Sequence, residues 1–398
     1  MNKTFCILPW VHFFHDTEGY IRPCCNARCK GSNPADQRIS YNTMRDHSDY
    51  MDIINQPAFN ELRNKMLRGE ESEECTYCYE VEKHGGESPR LSKNSMLNLD
   101  KMINMEKIDE MTNPDGSLKD FRMKFWDVRF NNICNISCRM CSPMWSHTWA
   151  KEEEIKINGS YIINAHDTDK FKEIVSKYGP LDELYDIFFA GGEVLFQKEH
   201  WEMLDYLIEI GNTDVMLNYV TNLTKLDYDN FKLLEYIPKF KDVTLTVSLD
   251  ATEDLLEYIR WGSVWEDIVN NLNAVRNLEN VHLRVNHTTT LYNLLSLPNT
   301  IDFLYDNEYL NEEYDIDLSI APEPHNHVGA FPSELKEQVK EQILKSKYYP
   351  LLKTKLDAVI DTMLNTTYNF PKEYINKLDK RRDCDITNVI PELKPYIK

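Results

Sequence analysis

The sequence predicts an α/β protein: an incomplete parallel (β/α)6 barrel, preceded by a cysteine-rich segment and followed by a helical one. Three observations predict it. From Lys124 onward, short runs of β-branched and aromatic residues alternate with longer stretches whose apolar residues recur at helical spacing. Six of the ten cysteines fall in the first 78 residues. Beyond Pro332 the chain is charged and keeps helical spacing over a long run.

Taken in order, residues 1–99 form the first piece. Phe5 to Leu8 and Tyr20 to Ile21 read as two short arms of a hairpin around Thr17-Glu18-Gly19, and Ala58 to Arg68 has helical spacing. Residues 100–122 are a charged connector, with a turn at Asn113-Pro114-Asp115-Gly116. Residues 123–332 hold six strand candidates: Lys124 to Phe130, Tyr185 to Ala190, Val215 to Val220, Val243 to Leu249, His282 to Thr288 and Asp315 to Ile320. Between them, His200 to Ile210, Asp229 to Tyr236, Val264 to Leu278 and Leu294 to Asn307 each present one apolar face. Residues 333–398 comprise a charged helix, Ser333 to Leu364, and a less regular tail.

Composition narrows the function classes. The 398 residues carry 65 acidic and 45 basic side chains, a formal charge of -20, which argues against a nucleic-acid or anionic-membrane surface. No apolar run approaches the roughly 20 residues that span a bilayer, so a soluble, cytoplasmic chain is expected. Ten cysteines are too few for a disulfide scaffold at this length. Their clustering points to metal.

The central cluster is Cys134-Asn135-Ile136-Ser137-Cys138-Arg139-Met140-Cys141, a CxxxCxxC that follows the first strand of the series, where barrels of this kind place their chemistry. Three thiolates on one short loop can hold three corners of a cubane iron–sulfur cluster and leave the fourth iron open. A zinc knob with a distant fourth ligand is the alternative. Gly191-Gly192-Glu193 closes the second strand; two glycines let the backbone approach a ligand, and Glu193 offers a carboxylate to an ammonium. A second copy, Gly85-Gly86-Glu87, follows no strand and reads as a turn. Ser248 and Asp250 end the fourth strand; Asp250 has a competing reading as the cap of a helix starting near Thr252.

CxxxCxxC after a first strand, with Gly-Gly-Glu after the second, resembles the radical S-adenosylmethionine superfamily over about Lys124 to Pro324. The resemblance implies a partial TIM-like barrel and a [4Fe-4S] cluster on Cys134, Cys138 and Cys141. Its open iron is chelated by the amino and carboxylate groups of S-adenosylmethionine. It further implies that Met140, standing where an aromatic residue is usual, meets the adenine and that Gly191, Gly192 and Glu193 meet the methionine amino group. Ser248 and Asp250 would then face the ribose, and Arg260 the carboxylate, for which a two-pronged guanidinium is suited. Thr221-Asn222 resembles the family's Thr-Asn-Gly turn, with Leu223 in place of the glycine.

At the N-terminus, Cys6, the Cys24-Cys25 pair and Cys75-Thr76-Tyr77-Cys78 supply a closed four-thiolate site, and structural zinc fits that count. The spacing from Cys6 to Gly19 to Cys24, and the CxxC entering a helix, resemble a twitch (shortened SPASM) domain, here ahead of the barrel. Glu82, Ser88 and Arg90 and the tail from Arg381 to Leu393 fit that type. The resemblance implies an auxiliary [4Fe-4S] cluster on Cys6, Cys24, Cys75 and Cys78, with Cys25 an alternative to Cys24. Cys29 is then a spare thiol, and Cys384 reads as packing.

The function so implied is an enzyme: S-adenosylmethionine is reductively cleaved, and a 5'-deoxyadenosyl radical takes hydrogen from a peptide or protein side chain. The auxiliary cluster transfers electrons, and a flavodoxin- or ferredoxin-type donor is the partner. A small-molecule radical dehydrogenase acting on a sugar or aminocyclitol is one alternative. A non-catalytic, zinc-stabilised binding module is another.

Overall fold

The computed structural model describes residues 3–29, 39, 41–47, 49–99, 103–166, 168 and 170–397. The chain forms two compact units: Met1–Ile133, Lys156–Asn218 and Lys239–Asp242 in the first, and Cys134–Ile155, Tyr219–Pro238 and Val243–Lys398 in the second. The strands are β1 (His12–His15), β2 (Ile21–Arg22), β3 (Phe125–Val128), β4 (Ser137–Cys138), β5 (Asp186–Phe189), β6 (Met216–Thr221), β7 (Asp227–Tyr228), β8 (Phe231–Lys232), β9 (Asp242–Ser248), β10 (Arg260–Trp261), β11 (Val281–Thr289) and β12 (Ile316–Ile320). All six strands expected from Lys124 onward form.

In the first unit the strand order is β2-β1-β3-β5, leading to the first half of β6. β1 runs parallel to β3 with His12 beside Phe125 and Phe13 beside Trp126, and β3 runs parallel to β5. The N-terminal segment thus adds a parallel strand to the β/α series. Every residue of β1 and β3 is buried, as expected of strands covered on both faces. Phe13 and Trp126 pack on Tyr178, with ring centroids 5.2 and 4.3 Å away. The opposite face of the sheet carries His12, Asp127, Asp186 and Asn218.

In the second unit, the end of β6 leads to β9, β11 and β12, the last three parallel to one another. Val243, Leu245 and Val247 of β9 are buried and alternate with half-buried Thr244, Thr246 and Ser248; β11 repeats the alternation. The helices Trp265–Val275 and Leu297–Asp306 bury Ile268, Leu272, Ile301 and Leu304, each contributing on the order of 1.5–3 kcal/mol. A polar face opposite this packed one is what a strand needs to present chemistry.

Several local expectations change. The first hairpin arm is His12–His15 and not Phe5–Leu8, because Pro9 sits in the first turn of a short helix, Leu8–Val11, which moves the strand downstream. The turn itself forms as expected: Gly19 has φ +85°, and a Cβ there would lie 2.5 Å from the Ala165 carbonyl oxygen. Asp229 to Tyr236 is not one helix. Asp229 takes φ +50° in a two-residue Asp-Asn turn joining β7 to β8, so the helix begins only at Leu233. The long C-terminal helix is two, Ser333–Lys345 and Lys353–Asn365, and the tail expected to be irregular contains the helix Lys372–Arg382. Among the described residues, no helix is long and apolar enough to cross a membrane.

Candidate functional site

The CxxxCxxC loop lies in the second unit and is fastened at both ends. The Cys134 amide donates to His147 Nδ1 at 3.2 Å, and Ser146 and Thr148, at the start of the helix His147–Glu152, both donate to the Ile136 carbonyl at 2.9 and 2.7 Å. β4 pairs antiparallel with β10, which sets Cys138 opposite Arg260, and the Arg139 amide donates to the Ile259 carbonyl. A tight turn closes the loop, with the Cys141 amide donating to the Cys138 carbonyl at 3.0 Å. Cys134 is buried, Cys138 and Cys141 half-buried. Burial pushes the Cys141 thiol up to about 12, and the neighbouring Cys138 sulfur adds to the shift. Such thiols need a metal's charge to become thiolates.

Arg260 is already oriented. Its Nη2 lies 2.6 Å from Asp250 Oδ2, and its Nη1 lies 3.7 Å from Cys138 Sγ. Burial opposes its charge, but Asp250 and Cys138 hold its pKa above the ordinary value. Asp250 Oδ1 accepts from the Thr288 amide at 2.7 Å, so its carboxylate is spent on Arg260 and β11. The helix reading for Asp250 is thereby corrected: Thr252 is the residue before the helix Glu253–Ile259. Ser248 is half-buried at the end of β9, and Met140 is half-buried on the loop. Asn222, after β6, donates to Asn135 at 2.9 Å and approaches Cys134 Sγ at 4.0 Å. Leu223, in the glycine's place, takes φ +52° and is fully buried, so packing offsets the strain of that backbone.

Gly191-Gly192-Glu193 lies in the first unit and packs on the residues leading into Cys134. A Cβ on Gly192 would lie 2.1 Å from the Ile133 carbonyl oxygen, so glycine is required there. The Glu193 amide donates to that carbonyl at 2.7 Å, and its buried side chain accepts from the Leu195 amide at 3.3 Å. Gly85, in the second Gly-Gly-Glu, ends the helix Thr76–Lys83 with φ +79°, a turn as expected.

The N-terminal thiols also lie in the first unit. Burial, then the charges of Cys25, Cys6 and Cys75, push the Cys24 thiol well up; Cys75 is raised by burial, Cys6, Glu74 and Cys78, and Cys6 by burial to about 12. Cys6, Cys24, Cys75 and Cys78 are thus electrostatic neighbours. Cys25 is exposed. The helix Pro89–Leu99 holds Cys6 from both sides: Asn94 donates to the Phe5 carbonyl and accepts from the Ile7 amide, both at 2.9 Å. Arg90 donates to the same carbonyl at 2.7 Å and pairs with Glu82, which Ser88 also contacts. Among the described residues, no three His, Cys, Asp or Glu side chains are drawn together as one metal ion requires. A cubane asks for less, since each thiolate binds a different iron.

Beside this quartet is a cavity of about 260 Å³, lined by Cys24, Cys25, His12, Asp127, Lys93 and Asp186 among others. Its charges are paired: Lys93 with Asp186 at 3.0 Å and Arg129 with Asp127.

The sequence placed the cysteines, the glycines, Arg260 and Asp250, and the fold brings the last two together with Cys138. Sequence reasoning missed His147, Asn135, Thr224 and Arg139, whose partners are distant in the chain. Thr224, which links Asn135 to Asn222, follows the Thr-Asn turn by two residues, and that proximity was the available signal.

Strand ends of a parallel β/α protein are where ligand sites are carried, and the thiolate loop and the glycine pair each follow one. Residues 128–297 match the Radical SAM superfamily. The chain is similar to native anSMEcpe with bound AdoMet (12% identity, TM-score 0.40, 62% of this chain and 64% of that one). It is also similar to Streptococcus suis SuiB bound to S-adenosylmethionine (11%, 0.41, 72% and 62%). SuiB bound to the precursor peptide SuiA is a third such structure (13%, 0.35, 80% and 64%). The chain spans less than two thirds of these proteins' lengths. No curated protein matches it.

Proposed function

We propose that the chain is a radical S-adenosylmethionine enzyme, with a [4Fe-4S] cluster held by Cys134, Cys138 and Cys141. The observation that carries this reading is the thiolate loop itself, pinned at Ile136 and Cys134 and facing an Arg260 that Asp250 has already oriented. When bound, the reduced cluster supplies an electron that splits S-adenosylmethionine into methionine and a 5'-deoxyadenosyl radical, which takes hydrogen from substrate. Arg260 meets the methionine carboxylate, Ser248 the ribose and Met140 the adenine. Asp250 holds Arg260 in place.

Cys6, Cys24, Cys75 and Cys78 hold an auxiliary cluster. Because Cys24 lines the cavity, a group bound there would touch that centre, which supports electron transfer between them. A peptide side chain is the substrate we favour, from the resemblance of the N-terminal motif; a flavodoxin- or ferredoxin-type donor supplies the first electron. Cleavage of S-adenosylmethionine by dithionite-reduced protein tests the reading: the parent forms 5'-deoxyadenosine, and the Cys134→Ala, Cys138→Ala, Cys141→Ala variant forms none. Persistent cleavage in that variant overturns it.

A further inference from the structure

The helix Lys372–Arg382 lies in the same unit as the cysteine loop and grips three points around Cys138. Arg382 Nη2 donates to the Ser137 carbonyl at 2.8 Å, and the same guanidinium forms a two-pronged pair with Glu152 on the helix His147–Glu152. Tyr374 Oη donates to the Arg139 carbonyl at 3.3 Å. The carbonyls on either side of Cys138 are therefore both held by one distant helix.

The third grip is on the Arg139 side chain, which is fully buried. Its Nη2 pairs with Asp379 Oδ1 at 2.6 Å and lies 3.3 Å from Cys384 Sγ, while its Nε donates to the Tyr258 carbonyl. The guanidinium stacks 3.6 Å from the Tyr258 ring centroid, and Tyr258 Oη donates to Asp379 at 2.8 Å. Asp379 Oδ2 accepts from the Ile386 amide, so both carboxylate oxygens are satisfied. Cys384, expected as plain packing, belongs to this group.

A buried guanidinium is costly without its partner, and a loop residue bearing one cannot shift while that partner is fixed. We propose that the helix Lys372–Arg382 is a mount for the catalytic cluster loop, with Tyr374, Asp379 and Arg382 as positioning residues that hold Cys138. This rests on the cluster assignment above. The mount has two consequences: it slows release of the central iron, and the Asp379 charge opposes addition of an electron to the nearby cluster.

The test uses the reconstituted full chain and the paramagnetic signal that responds to S-adenosylmethionine. Tyr374→Phe removes one hydroxyl and keeps the ring packed at a tilt on His325; it should lose that signal several-fold faster under a chelator. Asp379→Asn should do so more strongly and also shift the cluster's reduction potential to more positive values. Lys377→Ala, on the same helix but paired with Glu153 at its exposed face, should match the parent in both. Folded Tyr374→Phe and Asp379→Asn proteins with the parent's release rate and potential would overturn the mount. If Asp379→Asn fails to fold, an unchanged release rate in Tyr374→Phe overturns it alone. A parent with no S-adenosylmethionine-responsive signal instead overturns the cluster assignment, and the mount with it.

Discussion

At the scale of single residues, the site depends on a few side chains whose work is already done before a ligand arrives. Asp250 is the clearest: fully buried, it holds Arg260 and the β11 backbone together. Arg260→Lys should weaken S-adenosylmethionine binding by roughly 10- to 100-fold, the loss of about 1.5–3 kcal/mol from a two-pronged charged contact, with the iron content unchanged. Isothermal titration of the reconstituted protein checks this; equal affinity would assign Arg260 to structure alone. Asp250→Asn should lower stability by about 3–5 kcal/mol, because it leaves a buried guanidinium without its counter-charge. Chemical denaturation measures that cost. The residue types at these positions were legible in the sequence, but the pairing of Asp250 with Arg260 was not. Ten residues apart, they meet only because β10 folds back against β4.

At the scale of elements, β1 links the N-terminal segment to the β/α series. Its His15 sits fully buried, with Nδ1–H donating to the Asp16 carbonyl and Nε2 accepting from Tyr178 Oη at 2.5 Å. Burial lowers its pKa to about 4. The unfolded chain therefore binds a proton that the folded one refuses, and His15's contribution is complete above pH 6.5 and lost as the pH falls toward 4. Between pH 7.5 and 5 the loss is about 2 kcal/mol, and His15→Asn should reduce the protein's acid sensitivity by that amount. An unchanged pH dependence in denaturation midpoints would show that His15 is protonated when folded.

Elements were legible where periodicity is strong. The alternation in Val243 to Leu249 and the helical spacing in Ala58 to Arg68 both hold to within a residue or two. They were not legible where one residue sets the backbone: Pro9 moved a strand, and Asp229 made a turn inside a helical pattern. The C-terminal helix Lys372–Arg382 went unseen because charged residues cover most of its sequence and its few buried ones, Ile375, Leu378, Asp379 and Arg382, include two charges.

At the scale of the whole molecule, the proposed function gives two thiolate sets two different roles. Reconstituted protein should bind about eight irons, four in each cluster. Four would leave the N-terminal quartet to another metal. In the proposed assignment the quartet would ligate every iron of its cluster and leave no corner open, whereas the central loop would supply three thiolates and leave one iron for S-adenosylmethionine. Disabling Cys6, Cys24, Cys75 and Cys78 should therefore spare formation of 5'-deoxyadenosine and abolish turnover of substrate. Normal turnover in that folded variant would make the quartet structural.

In the proposed function, only the Cys134, Cys138, Cys141 cluster binds S-adenosylmethionine. Electron paramagnetic resonance of the reduced protein, recorded before and after adding S-adenosylmethionine, tests it most directly. The signal lost on replacing those three cysteines should shift on addition, while the signal that remains in the replaced protein should not. A shift in the remaining signal would contradict it.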